Sequence, residues 1–183
     1  MTSPDSVADD ERLRLFLALR LPEPVLDALG AWQAGLRGVR VVPRAHLHIT
    51  LAFLGSRPAG ELEAIVGELR AAAAEAPADL HLAPSRYRET RSVAMLALDD
   101  PGGGATGLAE DVQARLERLG VYRREGRPWL PHVTVARFRE RPRLRLGPPA
   151  MGTFVPSDAA AYLSQLHPGG AQYVVLESVG LGG

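Results

Sequence analysis

The chain has 183 residues, in which 21 basic residues balance 21 acidic ones, and it contains no cysteine. Every basic residue is arginine, so a G-x-x-x-x-G-K-[ST] phosphate loop and a ligase that works through a lysyl-nucleotide are both excluded. The lack of cysteine excludes thiolate nucleophiles, disulfide scaffolds and cysteine-based zinc sites.

The first part of the chain predicts a strand, a helix and a second strand. Residues 12–20 alternate between leucines at the odd positions and mixed side chains at the even ones, which is typical of a strand. Pro22 opens a helix whose apolar residues recur at helical spacing and which ends at Gly38. Residues 45–54 alternate again, and this strand is expected to end at Gly55.

The rest of the chain continues to alternate between helices and strands. We predict helices from Pro58 and over 105–119, and strands over 92–98, 130–138 and 171–179. Because several connections between strands are short, we expect an α+β fold with antiparallel or mixed sheets and flanking helices, rather than a doubly wound parallel sheet.

Two predicted strands carry the same short motif, His48-Ile49-Thr50 and His132-Val133-Thr134. Residues i and i+2 of a strand point to the same face, about 7 Å apart, so each histidine shares a face with its threonine. Strict alternation places Ile49, Leu51 and Phe53 on the opposite face of the first strand. If the two strands lie side by side around a pseudo-twofold axis, two imidazoles and two hydroxyls converge on one small volume.

Such a group of side chains suits the cleavage of a cyclic phosphodiester. Two histidines near neutral pH can divide the acid and base roles between them. The threonine hydroxyls can donate to the phosphate oxygens as charge develops on them. This chemistry requires neither a metal nor a covalent intermediate, and we expect no cofactor.

At these motifs the sequence resembles the 2H phosphoesterases, and most closely the RNA 2′,3′-cyclic phosphodiesterases, which are also called 2′-5′ RNA ligases. The segments that carry the resemblance are LRLFLALRLPEPV, HLHITLAFLG, RPWLPHVTVARF and YLSQLHPGGAQYVVLESVGL. They match the family's first strand, its two motifs and its C-terminal strand pair. The resemblance implies two pseudo-symmetric lobes around a central cleft that carries the two His-x-Thr strands.

The resemblance also implies an activity and a set of site residues. The activity is metal-independent hydrolysis of RNA 2′,3′-cyclic ends to 2′-phosphomonoesters, with weak reverse 2′-5′ ligation allowed in principle. His48 would be the proton donor and His132 the proton acceptor, while Thr50 and Thr134 would hold the phosphate oxygens. The residue pattern alone allows the two histidines to exchange roles.

Arg137 matches an arginine that follows the family's second motif and would contact the phosphate. Strict alternation instead places Arg137 on the face of Val133 and Val135, away from the motif histidine and threonine. The side chain reaches the phosphate if the strand twists, bulges or ends there.

Two other functions are compatible with the same residues. One is a non-catalytic module that binds nucleotides or RNA ends, for which a matched acid–base pair is unnecessary. The other is a metal hydrolase in which His46, His48 and His132 hold a zinc ion. Two arginine clusters, Arg86 to Arg91 and Arg137 to Arg145, are either solvated edges or a rim that attracts RNA phosphates.

The remaining expectations concern organisation and surroundings. Residues 1–10 are polar and acidic, and we interpret them as a disordered leader before a single bilobal domain over 11–183. No apolar run is long enough for a membrane span and no signal peptide is evident, so we expect a cytoplasmic protein without a membrane partner. We expect a monomer whose substrates are RNA ends or cyclic nucleotides.

Overall fold

The computed structural model describes residues 11–182, so the predicted leader, residues 1–10, lies outside the described residues. The strands are β1 (Arg12–Arg20), β2 (Arg40–Val41), β3 (His48–Pro58), β4 (Ala83–Glu89), β5 (Val93–Asp99), β6 (His132–Arg137), β7 (Asp158–His167) and β8 (Gly170–Val179). The helices are α1 (Glu23–Gln33), α2 (Leu62–Ala74) and α3 (Gly104–Leu119). Short 3₁₀ turns at Arg44–His46 and Ala59–Glu61 precede β3 and α2.

All these strands belong to one sheet, in the order β4-β5-β6-β3-β1-β7-β8, with β2 paired to β6. Every pairing in the sheet is antiparallel. The α+β class is therefore confirmed, and the two predicted lobes are the two halves of this one sheet. The assignment of 11–183 to a single domain stays a prediction.

The two faces of the sheet differ in what covers them. The odd-numbered leucines of β1 lie in the main core with apolar residues of all three helices, such as Leu29, Leu69 and Leu116. The other face is concave and carries a smaller cluster around Phe16 and Tyr162. The sheet curls over this face. The curl brings the His46 ring, just before β3, to within 4.4 Å of the Tyr173 ring on the edge strand β8.

The end of α1 and both ends of β3 differ from the sequence predictions, which had used Gly38 and Gly55 as the ends of these elements. Helix α1 ends at Gln33, before Gly38. Strand β3 begins only at His48, because the chain after Pro43 forms a 3₁₀ turn. The strand then continues past Gly55, whose φ of +67° allows a bulge opposite Leu15 instead of ending the strand.

The fold contains an internal repeat, since β1–α1–β3 and β5–α3–β6 are strand–helix–strand units that each end in a motif strand. The two motif strands are neighbours and pair through Ile49 opposite Val133. Each of them bulges one residue after its threonine. In β3 the extra residue is Leu51, and in β6 it is Val135.

A buried glutamine from the opposite unit holds each bulge. Gln33 of α1 donates its Nε2–H to the carbonyl of Val135 at 2.9 Å and to that of Val42 at 3.0 Å. Gln113 of α3 donates to the carbonyl of Leu51 at 2.9 Å. Both glutamines are almost fully buried, and each satisfies its amide N–H with a bulged carbonyl.

None of the helices within residues 11–182 has the length and apolar character needed to cross a membrane.

Replacing Gln33 by methionine should destabilise the protein while it preserves the side-chain volume. The variant removes the side-chain donor of both carbonyls; the Val135 carbonyl keeps the backbone N–H of Val42 at 3.0 Å, whereas the Val42 carbonyl loses its Gln33 donor. An unsatisfied buried polar group costs about 1–3 kcal/mol. Urea unfolding of Gln33→Met measures this loss, and Gln113→Met should behave in the same way. The matched control is Gln165→Met at the exposed end of β7, where a change within about 0.5 kcal/mol is expected. Equal stability of all three variants would contradict the role of the buried amides.

Candidate active site

The two His-x-Thr motifs meet at the centre of the concave face. Because Ile49 lies opposite Val133 in an antiparallel pair, the register sets His48 beside Thr134 and Thr50 beside His132. Ile49 and Val133 are fully buried on the helix side, so the histidines and threonines project from the other side. The structure thus brings together the four motif residues that the sequence singled out.

Both histidines are held in the same orientation by the backbone two residues earlier. The Nδ1–H of His48 donates to the carbonyl of His46 at 2.7 Å, and that of His132 donates to the carbonyl of Leu130 at 2.8 Å. Each Nε2 therefore carries the lone pair in the neutral ring. The Nε2 of His48 accepts from the Thr50 hydroxyl at 3.0 Å, whereas that of His132 has no partner within residues 11–182.

An aromatic wall encloses His48 on the side of β1, β7 and β8. The ring centroids of Phe16, Tyr173 and Tyr162 lie 4.9, 5.7 and 5.9 Å from that of His48. Burial by this wall lowers the pKa of His48 to about 4, and repulsion from His132, His46 and Arg137 acts in the same direction. His48 is neutral in the ligand-free protein at neutral pH.

The bulge at Val135 decides where Arg137 points. The extra residue makes Val135 and Ala136 consecutive buried residues, so the alternation of β6 changes phase after the bulge. Arg137 consequently projects from the concave face, and its charge acts on the His48 ring. Strict alternation from the sequence was wrong at this position, whereas the family resemblance had placed Arg137 at the site.

The matching bulge at Leu51 has the same effect on Phe53. Leu51 and Ala52 are both buried, and Phe53 lies opposite Phe16 on the concave face with 67% of its surface exposed. The sequence interpretation had placed Phe53 on the opposite face, which is wrong for the same reason. Phe16 itself is 3% exposed and part of the aromatic wall, so of the two rings only Phe53 offers an open surface for stacking.

Arg137 also faces a second arginine. Arg40 of β2 lies directly opposite Arg137 of β6, an arrangement of like charges that is unfavourable unless an anion lies nearby. The two arginines line a groove of about 590 Å³ beside the site, together with Arg139 and one carboxylate, Glu140. Arg40 also donates to the carbonyl of Gly169 at 3.0 Å, in the turn between β7 and β8.

Other candidate residues are distributed differently from the sequence interpretation. The ring of His46 packs on Tyr173. Within residues 11–182, no group of three or more histidine, aspartate or glutamate side chains is arranged to hold a metal ion, so His46, His48 and His132 do not form the three-histidine alternative.

In the second arginine cluster, Glu89 pairs with Arg141 and accepts from the backbone N–H groups of Arg143 and Leu144. That part of the cluster is therefore tied to β4.

The His48 ring should stay neutral, with its proton on Nδ1, at about pH 5.5, where an unperturbed histidine with a pKa of about 6.5 is mostly protonated. Ring ¹⁵N shifts followed from pH 8 to 4 measure this. Because the folded-state pKa is lower than the unfolded one, the unfolded chain binds more protons, and His48 reduces stability as the pH falls from about 6.5 towards 4. In Tyr173→Ala, which opens the aromatic wall, the pKa should rise towards 6.5. Titration of His48 near pH 6.5 in the unaltered protein would contradict its burial.

Comparison with known proteins agrees with this geometry. The family model for the 2′-5′ RNA ligase superfamily matches residues 21–167. The RNA 2′,3′-cyclic phosphodiesterase of Thermus thermophilus is 36% identical over 182 residues, which covers 93% of this chain and 91% of that protein. A crystal structure of a phosphoesterase superposes with a TM-score of 0.81 at 25% identity, over 94% of this chain and all of that one. The Escherichia coli LigT crystal structure with 3′-AMP shares the fold, with a TM-score of 0.78 at 24% identity over 94% of this chain and all of that one. The chain belongs to the 2′-5′ RNA ligase superfamily.

Proposed function

We propose that this protein hydrolyses the 2′,3′-cyclic phosphodiester at RNA ends to a 2′-phosphomonoester. The observation that carries the proposal is the pair of imidazoles on one concave face, each with its Nδ1–H bound to a carbonyl. The Nε2 of His48 meets the Thr50 hydroxyl, and that of His132 has no partner within residues 11–182. The Thermus thermophilus relative carries the name of this activity, and LigT of Escherichia coli was crystallised with 3′-AMP.

In the proposed reaction a water oxygen forms a bond to phosphorus while the bond from phosphorus to the 3′ oxygen breaks. His132 takes the proton of the attacking water at Nε2, and His48 donates a proton from Nε2 to the departing 3′ oxygen. Thr50, Thr134 and Arg137 stabilise the phosphate oxygens as their charge grows. The phosphate remains on the 2′ oxygen, and the protons exchange with solvent before the next turnover.

The environment of the two histidines supports this division of roles. His48 is neutral before substrate binds, because it is buried and surrounded by positive charge. A bound phosphodiester brings a negative charge close to the ring, which raises the pKa of His48 and favours uptake of the proton that it then donates. Within residues 11–182 the Nε2 of His132 has no hydrogen-bond partner, so it is open to an attacking water, as a base requires.

Hydrolysis of a cyclic-phosphate oligonucleotide should continue in EDTA and yield only the 2′-phosphate. His48→Ala and His132→Ala should each lower kcat by about 10²–10⁴, since a general acid and a general base each contribute that much. Product analysis with and without chelator, and rate measurements on both variants, test this. Tight binding without turnover would favour a non-catalytic module, and full loss of activity in EDTA would favour a metal hydrolase.

A bridging sulfur at the 3′ position should separate the roles of the two histidines. A thiol, with a pKa of about 8.5, leaves without a proton from the enzyme. On this substrate the kcat of His48→Ala should therefore be close to that of the unaltered enzyme. The kcat of His132→Ala should remain low on this substrate, because the attacking water still needs a base. The opposite pattern would exchange the two roles.

A further inference from the structure

The edge strand β4 presents two arginines to the same concave face as the active site. Arg86 lies opposite Ala97 of β5, which lies opposite His132 of β6. In the next row Arg88 lies opposite Met95, which lies opposite Thr134. Neighbouring strands are about 4.8 Å apart, so each arginine backbone is about 10 Å across the sheet from a motif residue.

A bulge gives these arginines their direction. Pro84 lies opposite Leu98 and Arg86 opposite Ala97, so Ser85 is an extra residue in β4. Before the bulge, Leu82 is fully buried in the main core, and after it Tyr87 packs against the same core. Arg86 and Arg88 therefore alternate with Tyr87 and project from the concave side. The arrangement parallels the bulges that direct Phe53 and Arg137.

Within residues 11–182 neither Arg86 nor Arg88 takes part in an ion pair. The strands place two carboxylates on this face, Asp158, which is bound to Arg20 at 2.6 Å, and Asp99 at the end of β5. In a chain whose net charge is zero, this half of the concave face is positive.

The surface between the arginines and the active site is low and mostly apolar. Ala97 is buried and Met95 half-buried, so neither side chain blocks the path from His132 and Thr134 to β4. A base can lie on such a surface while the backbone phosphates reach the guanidinium groups, which bind phosphate strongly.

We propose that β4 and β5 form a binding track for the RNA strand on the 5′ side of the terminal cyclic phosphate, with Arg86 and Arg88 as its phosphate ligands. The proposal rests on the proposed function, because a cyclic phosphate ends its chain and every further nucleotide must leave the site on the 5′ side. The substrate class is then an RNA oligonucleotide end rather than a free cyclic nucleotide.

The test compares adenosine 2′,3′-cyclic phosphate with a five-nucleotide RNA that ends in a 2′,3′-cyclic phosphate. The unaltered enzyme should prefer the oligonucleotide in kcat/KM, and the double variant Arg86→Gln/Arg88→Gln should lose about tenfold on it without change on the mononucleotide. The slope of log(kcat/KM) against log[salt] on the oligonucleotide should fall by about 1.4, at about 0.7 for each lost contact with a single strand.

The matched control is Arg118→Gln/Arg123→Gln, which removes the same charge at the end of α3 and just after it. This control should keep both the oligonucleotide preference and the salt slope. The proposed binding track would be contradicted if the β4 variant kept its preference for the oligonucleotide over the mononucleotide. It would also be contradicted if both double variants lost the same factor in kcat/KM on the oligonucleotide.

Binding measurements separate this proposal from the proposed function. Fluorescence anisotropy with the five-nucleotide RNA ending in a 2′-phosphate should show about tenfold weaker binding by the β4 variant than by the control variant. If neither cyclic phosphate is hydrolysed, the proposed function fails, while the anisotropy result still decides for or against the track.

Discussion

Two hydrogen bonds from buried glutamine amides to bulged carbonyls determine how the concave face is arranged. Each bulge adds one residue to a motif strand and turns the carbonyl of that residue towards a helix. Gln33 and Gln113 donate to these carbonyls from helices of the opposite repeat unit, and the Val135 carbonyl also accepts from the backbone N–H of Val42. The motif strands can then change phase after the threonine, which places Arg137 and Phe53 on the same side as the histidines. The helices thus contribute to the site from the opposite face of the sheet.

The sequence predicted those parts of the fold and the site that depend on local alternation. The strand at 12–20 and the shared face of each histidine with its threonine follow from the two-residue period, and the structure has both. The side-by-side placement of the two motifs does not follow from alternation; it could be predicted only from the similarity of the two motif strands. Strand β4 was not predicted, because the bulge at Ser85 interrupts its alternation.

The errors at Phe53 and Arg137 have a single physical cause. Alternation is reliable only while each residue has one partner, and the bulges that break it are held by residues distant in sequence. Gln33 lies 102 positions from Val135, and Gln113 lies 62 positions from Leu51. No pattern within either strand could reveal such a contact. The sequence signal for these contacts is a glutamine on the apolar face of α1 and of α3. It indicates a bulge only once the pairing of the strands is known.

The difference between Phe53 and Arg137 breaks the symmetry of the centre. A centre with full twofold symmetry would accept a cyclic phosphate in two equivalent orientations, and hydrolysis would release a mixture of 2′- and 3′-phosphates. Here the equivalent position after each motif holds an open aromatic ring on one strand and a guanidinium on the other. In the proposed reaction the two orientations would therefore differ in energy, which would allow a duplicated strand–helix–strand unit to release one regioisomer.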